Sequence, residues 1–314
     1  MQMTWEAALV ARRQGIKAAK YPAKGESRVK FPIFTPRFEL HPDMRVFTIG
    51  SCFARHIERK LKGFDLPTLR FSAPYSEAPH SSNTLLNEYN PGTMSQRITF
   101  ALSGTLLPEE TIVETKDGYI DLSLPGGFPV TFDRAVERRK EIAAIYEELN
   151  QSDVVVITLG FVEAWFDTAT NLYLNQMPPL NVLKASGSRF VFRRLDVDDV
   201  MPLLDSAVKM LVEANLKVLL TVSPVPLGST FSGVDAVLAN EYSKSVLRVC
   251  AQTIYDQYDT VDYFPSYEIV RLCGEPAYDQ DNVHVRVDLV GEVTDYMVSR
   301  YLTSQPISNV SAVT

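Results

Sequence analysis

Val46-Phe47-Thr48-Ile49-Gly50-Ser51-Cys52-Phe53-Ala54-Arg55-His56 decides how this 314-residue chain folds. A β-branched, apolar run ends at Gly50. Within two residues an amphipathic pattern begins, Phe53-Ala54-Arg55-His56-Ile57-Glu58-Arg59-Lys60-Leu61. Strand, tight turn and helix therefore follow directly, with the strand expected over 45–49, the helix over 53–62 and Gly63 just past its end. The turn carries two candidate nucleophiles, Ser51 and Cys52. At a helix start the unpaired N–H groups and the positive dipole end favour a thiolate or an oxyanion. The same residues also read as a plain helix start, with Ser51 as N-cap and Cys52 as a small buried hydrophobe.

Working outward, a second strand is expected over 67–71. The Pro-, Ser- and Asn-rich stretch 72–93 reads as a loop long enough to be functional. Thr93 is expected to cap a helix over 94–102. Alternation around Asp117-Gly118 marks a hairpin insertion at about 104–132. A charged helix over 133–149 precedes Val154-Val155-Val156-Ile157-Thr158-Leu159, a run fit for a central parallel strand covered on both faces. A second hairpin-like insertion occupies about 168–195. Helices over 197–214 and 234–257 flank a strand at 217–222, and a short strand at 261–264 follows. Ser266-Tyr267-Glu268 leads into a Gly/Pro loop ending at Asp281-Asn282-Val283-His284, before a terminal helix over 288–302. Five strands alternating with helices give an α/β, doubly wound parallel sheet over 42–302. An arm (1–41) is laid over it and a tail (303–314) follows. Ligands bind such sheets beyond the carboxyl ends of the strands. Ser51, Cys52, Glu163 and Ser223 share that edge, as do the loops 90–92 and 281–284.

A formal net charge of −7 argues against nucleic acid as a partner. The one basic run, Arg134 to Lys140, is interleaved with Glu137 and reads as a solvated helix face. Three cysteines without framework spacing suggest free thiols in a reducing compartment, with Cys250 and Cys273 as packing residues. Neither CxxC nor HExxH occurs, so no metal is expected. Met1 to Lys20 has no continuous apolar core, and no window of about 18 apolar residues occurs. The expectation is a cytoplasmic protein that does not engage a membrane.

Asp281 lies three residues before His284. A carboxylate there can accept the imidazole Nδ1–H, fix its tautomer and leave the other nitrogen free to take a proton from Cys52 or Ser51. The plainer reading is a surface histidine with a capping carboxylate. His56, one turn after Cys52, suits either a second base or packing. Arg55 suits a clamp for an anionic substrate or a pair with Glu58. Glu163 suits a hydrogen bond to an acceptor or a helix-start carboxylate. Tyr267 suits a pocket wall or a brace for the His284 loop. Trp165, Tyr75 and Tyr89 offer ring faces for a sugar, or core packing.

Ile49-Gly50-Ser51-Cys52-Phe53-Ala54 resembles the motif that names the GSCFA-domain family. Thr221-Val222-Ser223-Pro224-Val225, Tyr263-Phe264-Pro265-Ser266-Tyr267-Glu268, Asn90-Pro91-Gly92 and Asp281–His284 look like that family too, in order over residues 42–302. The family is similar to the SGNH (GDSL-like) hydrolases. That likeness implies a flavodoxin-like sheet and ester hydrolysis or acyl transfer, often on carbohydrates. It implies no metal or redox cofactor, and acyl-CoA as a donor if the reaction is transfer. The SGNH motif Gly-Asp-Ser aligns with Gly50-Ser51-Cys52, which puts Cys52 at the nucleophile position and Ser51 beside it as the alternative. The oxyanion donors implied are the nucleophile's own N–H and Gly92 or Asn90. The third donor block reads Gly160-Phe161-Val162-Glu163, with Val162 where an asparagine amide belongs. Loss of one such donor costs about 10²–10³ in rate. The expectation is an acyl-ester hydrolase or acyltransferase acting on an acylated carbohydrate or small metabolite. A non-catalytic ligand-binding or scaffold protein on the same fold is the other reading.

Overall fold

The computed structural model describes residues 3–14, 31–61, 63–78 and 83–302. In chain order the strands are β1 (Val46–Gly50), β2 (Ile112–Thr115), β3 (Gly118–Asp121), β4 (Val154–Leu159) and β5 (Glu163–Asp167), then β6 (Leu172–Leu174), β7 (Phe190–Arg194), β8 (Lys217–Val222) and β9 (Val261–Tyr263). The α-helices are α1 (Trp5–Gln14), α2 (Cys52–Lys60), α3 (Pro91–Ser103), α4 (Phe132–Glu147) and α5 (Leu180–Ala185), then α6 (Val197–Glu213), α7 (Ala236–Gln257), α8 (Ser266–Cys273) and α9 (Val287–Tyr301).

One parallel sheet runs in the order β1-β4-β8-β9. Each step moves the same way across the sheet, so right-handed crossovers place α4, α6 and α7 on one face. The apolar run of β4 is buried on both sides because its side chains alternate. Val155 and Ile157 share one core cluster with Ile142, Leu204 and Leu247 on that face, while Val154 and Val156 share another with Ile57, Val290 and Met297 of α2 and α9 on the other. The chain therefore diverges to opposite faces between β1 and β4, where open α/β sheets hold their ligands.

Several sequence expectations are corrected. Residues 67–71 are not a strand: Pro67–Arg70 is a 3₁₀ turn. Pro67 has no N–H for a ladder, so the outer edge of β1 keeps only single bridges, Arg45 to Asp65 and Gly50 to Asn87. Among the described residues the core sheet has four strands, where about five were expected. The second insertion begins at Glu163, because β5 is the middle strand of an antiparallel sheet β6-β5-β7. Asn90, not Thr93, caps α3; its Oδ1 accepts the Thr93 N–H at 2.9 Å, and Pro91 takes the first helical position. Ser266-Tyr267-Glu268 opens α8, a helix that precedes the Gly/Pro loop. Arg138 and Arg139 are buried, paired with Glu77 and Asp121, so that side of α4 is not a solvated face. Asp117-Gly118 does close the β2-β3 hairpin, with Gly118 at φ +128°.

Residues 31–40 lie over the domain. Phe34 packs on Phe264 and Tyr301, and Arg37 donates to the carbonyls of Tyr255, Tyr258 and Val261 at 2.6–2.8 Å. The rest of the expected arm between 15 and 30, and the tail 303–314, lie outside the described residues. Among the described residues no helix is long and apolar enough to cross a membrane.

Candidate active site

Gly50 ends β1 at φ +137°, and a Cβ there would lie 2.2 Å from Thr158 Oγ1. Only glycine fits so close to β4. Thr158 Oγ1 accepts the Ser51 N–H at 3.0 Å. Ser51 caps α2: its Oγ accepts the Phe53 N–H at 3.4 Å and donates to Ser223 Oγ at 3.1 Å, with the residue 4% exposed. Cys52 follows as the first residue of α2, partly exposed and with a free thiol. Of the two candidate nucleophiles, the serine is engaged in the turn and the cysteine is not.

The helix start does favour the thiolate at Cys52, but burial acts against it and is larger. Burial pushes the thiol above its ordinary value, outweighing the Cys52 and Phe53 N–H groups and the nearby cations Lys244 and Arg55.

Lys244 was missed in the sequence. It is fully buried in α7, and its Nζ donates to Gly160 O at 2.6 Å and Val225 O at 2.8 Å, just past β4 and β8. Burial lowers it to about 7, with Cys52 and Glu241 pulling the other way. The signal was present: Asn240, Ser243, Leu247, Cys250 and Ile254 trace the buried stripe of α7, and Lys244 lies on it. Asn87 was also passed over. It is 2% exposed, bridges Gly50 through the backbone, and its Nδ2 lies 3.4 Å from Tyr89 Oη. Its Oδ1 has no hydrogen-bond partner. Tyr89 stacks on Phe161 at 5.6 Å and is close enough to Cys52 for the sulfur to raise its phenol, which burial already raises.

His284 and Asp281 are brought together. Nδ1 bonds one carboxylate oxygen, and the other accepts the His284 and Val283 N–H groups at 2.9 and 3.0 Å. The imidazole holds the Asp281 carboxyl well below the usual carboxylate range. The His284 side chain is 72% exposed, and Asp281 is its sole side-chain partner among the described residues; no hydrogen bond joins it to Cys52 or Ser51. Its loop does touch the site's wall, since Val283 flanks Gly228.

The remaining candidates have structural partners. Arg55 is buried beside Glu58 at 2.7 Å and also reaches Thr48, so it clamps no substrate from there. His56 faces Arg59 at 3.3 Å and is lowered by burial and by that cation. Glu163 starts a strand, not a helix, and its carboxylate binds Thr230 Oγ1 and the Phe231 N–H, tying down the 226–232 loop. Gly92 lies in the first turn of α3, where a Cβ would strike the Tyr173 ring at 2.2 Å. Asn90 Nδ2 donates to Leu174 O at 3.3 Å. Tyr267 donates to Glu241 at 3.3 Å. Tyr75 is 83% exposed, whereas Trp165 packs edge-on against Phe192 and Phe231.

That aromatic cluster walls a cavity of about 290 Å³, whose lining includes Asn90, Phe161, Glu163, Asn175 and Pro226. Phe161 follows Gly160 and Pro226 follows Val225, so the cavity adjoins the two carbonyls that hold Lys244.

No curated protein and no solved structure matches the chain. The GSCFA family pattern matches residues 45–297, from the start of the first core strand into the last helix, and the chain belongs to the GSCFA family.

Proposed function

We propose that the protein is an SGNH-like acyl-ester hydrolase or acyltransferase with Cys52 as the nucleophile and an acylated carbohydrate or small metabolite as substrate. The observation that carries this reading is the division of labour in the Gly50-Ser51-Cys52 turn: Ser51 is committed to the cap and to Ser223, while Cys52 is partly exposed at the helix start. Attack by sulfur on the ester carbonyl gives an oxyanion beside the Cys52 N–H. The Asn87 amide takes the donor role that Val162 lacks. His284, oriented by Asp281, exchanges protons with the departing and incoming oxygens at the solvent side. The aromatic cavity receives the apolar or ring portion of the substrate. Acyl-CoA suits as the donor if the reaction is transfer.

The second reading, a ligand-binding protein without turnover, draws on the absence of a hydrogen bond between His284 and Cys52. Intact-mass analysis after exposure to an activated ester or a fluorophosphonate separates the two. One adduct, mapped to Cys52 and absent from Cys52→Ala, is expected. An adduct on Ser51, or none while a ligand still binds, overturns the proposal.

A further inference from the structure

Lys244 is 0% exposed and forms no ion pair with a carboxylate among the described residues. A buried ammonium without a counter-ion is costly, and such lysines are held where their proton is used. Two carbonyls occupy two of the tetrahedral positions on Nζ, at 2.6 and 2.8 Å. A neutral amine has two N–H donors, which these carbonyls satisfy, and its lone pair takes the one position left. Both carbonyls belong to residues just past β4 and β8, on the sheet edge that carries Cys52 next to β4.

We infer that Lys244 is the base that receives the Cys52 thiol proton. The inference rests on the acyl-transfer reading for its reaction but not for its chemistry at sulfur. Burial raises the thiol above its ordinary value and lowers the lysine to about 7, so it disfavours the charged form of each. A neutral thiol and a neutral amine are the starting state for general-base attack. The Nζ lone pair takes the Sγ proton, the sulfur pair forms the C–S bond, and the carbonyl π pair moves onto oxygen. When the carbonyl re-forms, the ester C–O bond breaks and the alkoxide takes a proton from His284, which enters the cycle as the imidazolium beside Asp281 and is reprotonated in the next step. Water or an acceptor hydroxyl then gives its proton to His284 as its oxygen attacks the thioester. The C–S bond breaks, and the thiolate regains its proton from the Lys244 ammonium. Lys244 serves the sulfur and His284 the oxygens at the solvent side.

The test reads the thiol directly. Cys52 alkylation by iodoacetamide, resolved from Cys250 and Cys273 by peptide mapping, needs a thiolate and no acyl chemistry. Lys244→Met is expected to slow alkylation at pH 7.5 at least tenfold, whereas Lys209→Met, at an exposed lysine, leaves it unchanged. Across pH the wild-type rate is expected to show a step near 7 that Lys244→Met and Lys244→Arg both lose, since arginine keeps the charge but cannot take a proton; a variant that keeps the step overturns the inference. Should either variant fail to fold, ¹³C-lysine NMR of the wild-type protein decides. One lysine Cε resonance titrating near pH 7, and moved by Cys52→Ala, supports the inference; all lysines titrating above pH 9.5 overturns it. Wild-type alkylation at the expected rate with no acyl adduct on Cys52 would refute the acyl-transfer reading and leave the base assignment standing.

Discussion

Replacing Ser51 by alanine separates a cap from a nucleophile, and the structure sets the size of each effect. Ser51 Oγ accepts the Phe53 N–H at 3.4 Å, a long bond, and donates to Ser223 Oγ at 3.1 Å. Loss of an N-cap costs about 0.5–2 kcal/mol, and the long geometry points to about 1. Ser223 Oγ still accepts the Val225 N–H at 3.4 Å, so no buried hydroxyl is stranded. In a domain of this size about 1 kcal/mol lowers Tm by roughly 2–4 °C. If all of it were lost from the transition state, kcat/KM would fall only about fivefold. Cys52→Ala removes the attacking atom and is expected to lower turnover by about 10⁴-fold or more, with Tm nearly unchanged. The assay is hydrolysis of a short-chain aryl ester alongside thermal unfolding of each variant. If Ser51→Ala abolishes turnover while Cys52→Ala retains it, the assignment of roles in this turn is wrong.

Asn87→Ala and the isosteric Asn87→Asp are both expected to lower kcat by about 10²–10³ with little change in KM, because neither can donate to an oxyanion; wild-type kcat in a folded Asn87→Asp would remove the amide from the mechanism. Asp121→Asn is expected to destabilise the protein by about 3–5 kcal/mol in urea unfolding, because it strands the buried Arg139. Arg139 and the Ser123 donors hold the Asp121 carboxyl below its ordinary value against burial. Its stabilisation is therefore complete above about pH 4, the unfolded value, and is lost as pH falls through the lower folded value. Wild-type acid-unfolding curves should show that loss, and Asp121→Asn should flatten them.

The parts of the fold readable in the sequence are those where one local pattern has one outcome. Val154–Leu159 and Lys217–Val222 are strands at the positions their apolar runs predict, since only a strand covered on both faces is continuously apolar. Pro67-Thr68-Leu69-Arg70 was misread because β-propensity reports fit to a neighbouring strand, and β1 offers its edge only at Asp65 and Asn87. Arg138-Arg139 was misread for a related reason. Alternating charge on a helix implies solvent only if no carboxylate comes from elsewhere, and here Asp121 and Glu77 arrive from distant segments.

The site was legible where chemistry is local and hidden where it depends on burial. Asp281 and His284 pair as their spacing implies, because three residues of loop suffice to bring them together. The state of Cys52 could not be read that way. A helix start favours an anion by about 0.3–1 kcal/mol, rarely 2, and it acts through N–H groups that any sequence supplies. Desolvation acts in the opposite direction, and its size depends on what closes over the turn: Tyr89 from one loop, Lys244 from a helix far along the chain. Burial outweighs the helix start, so the chemistry at this turn is governed by whichever group can take the thiol proton. A cation on the apolar stripe of α7 is the one local sign of that group, and it carries meaning only once the stripe is known to face the carboxyl ends of β4 and β8.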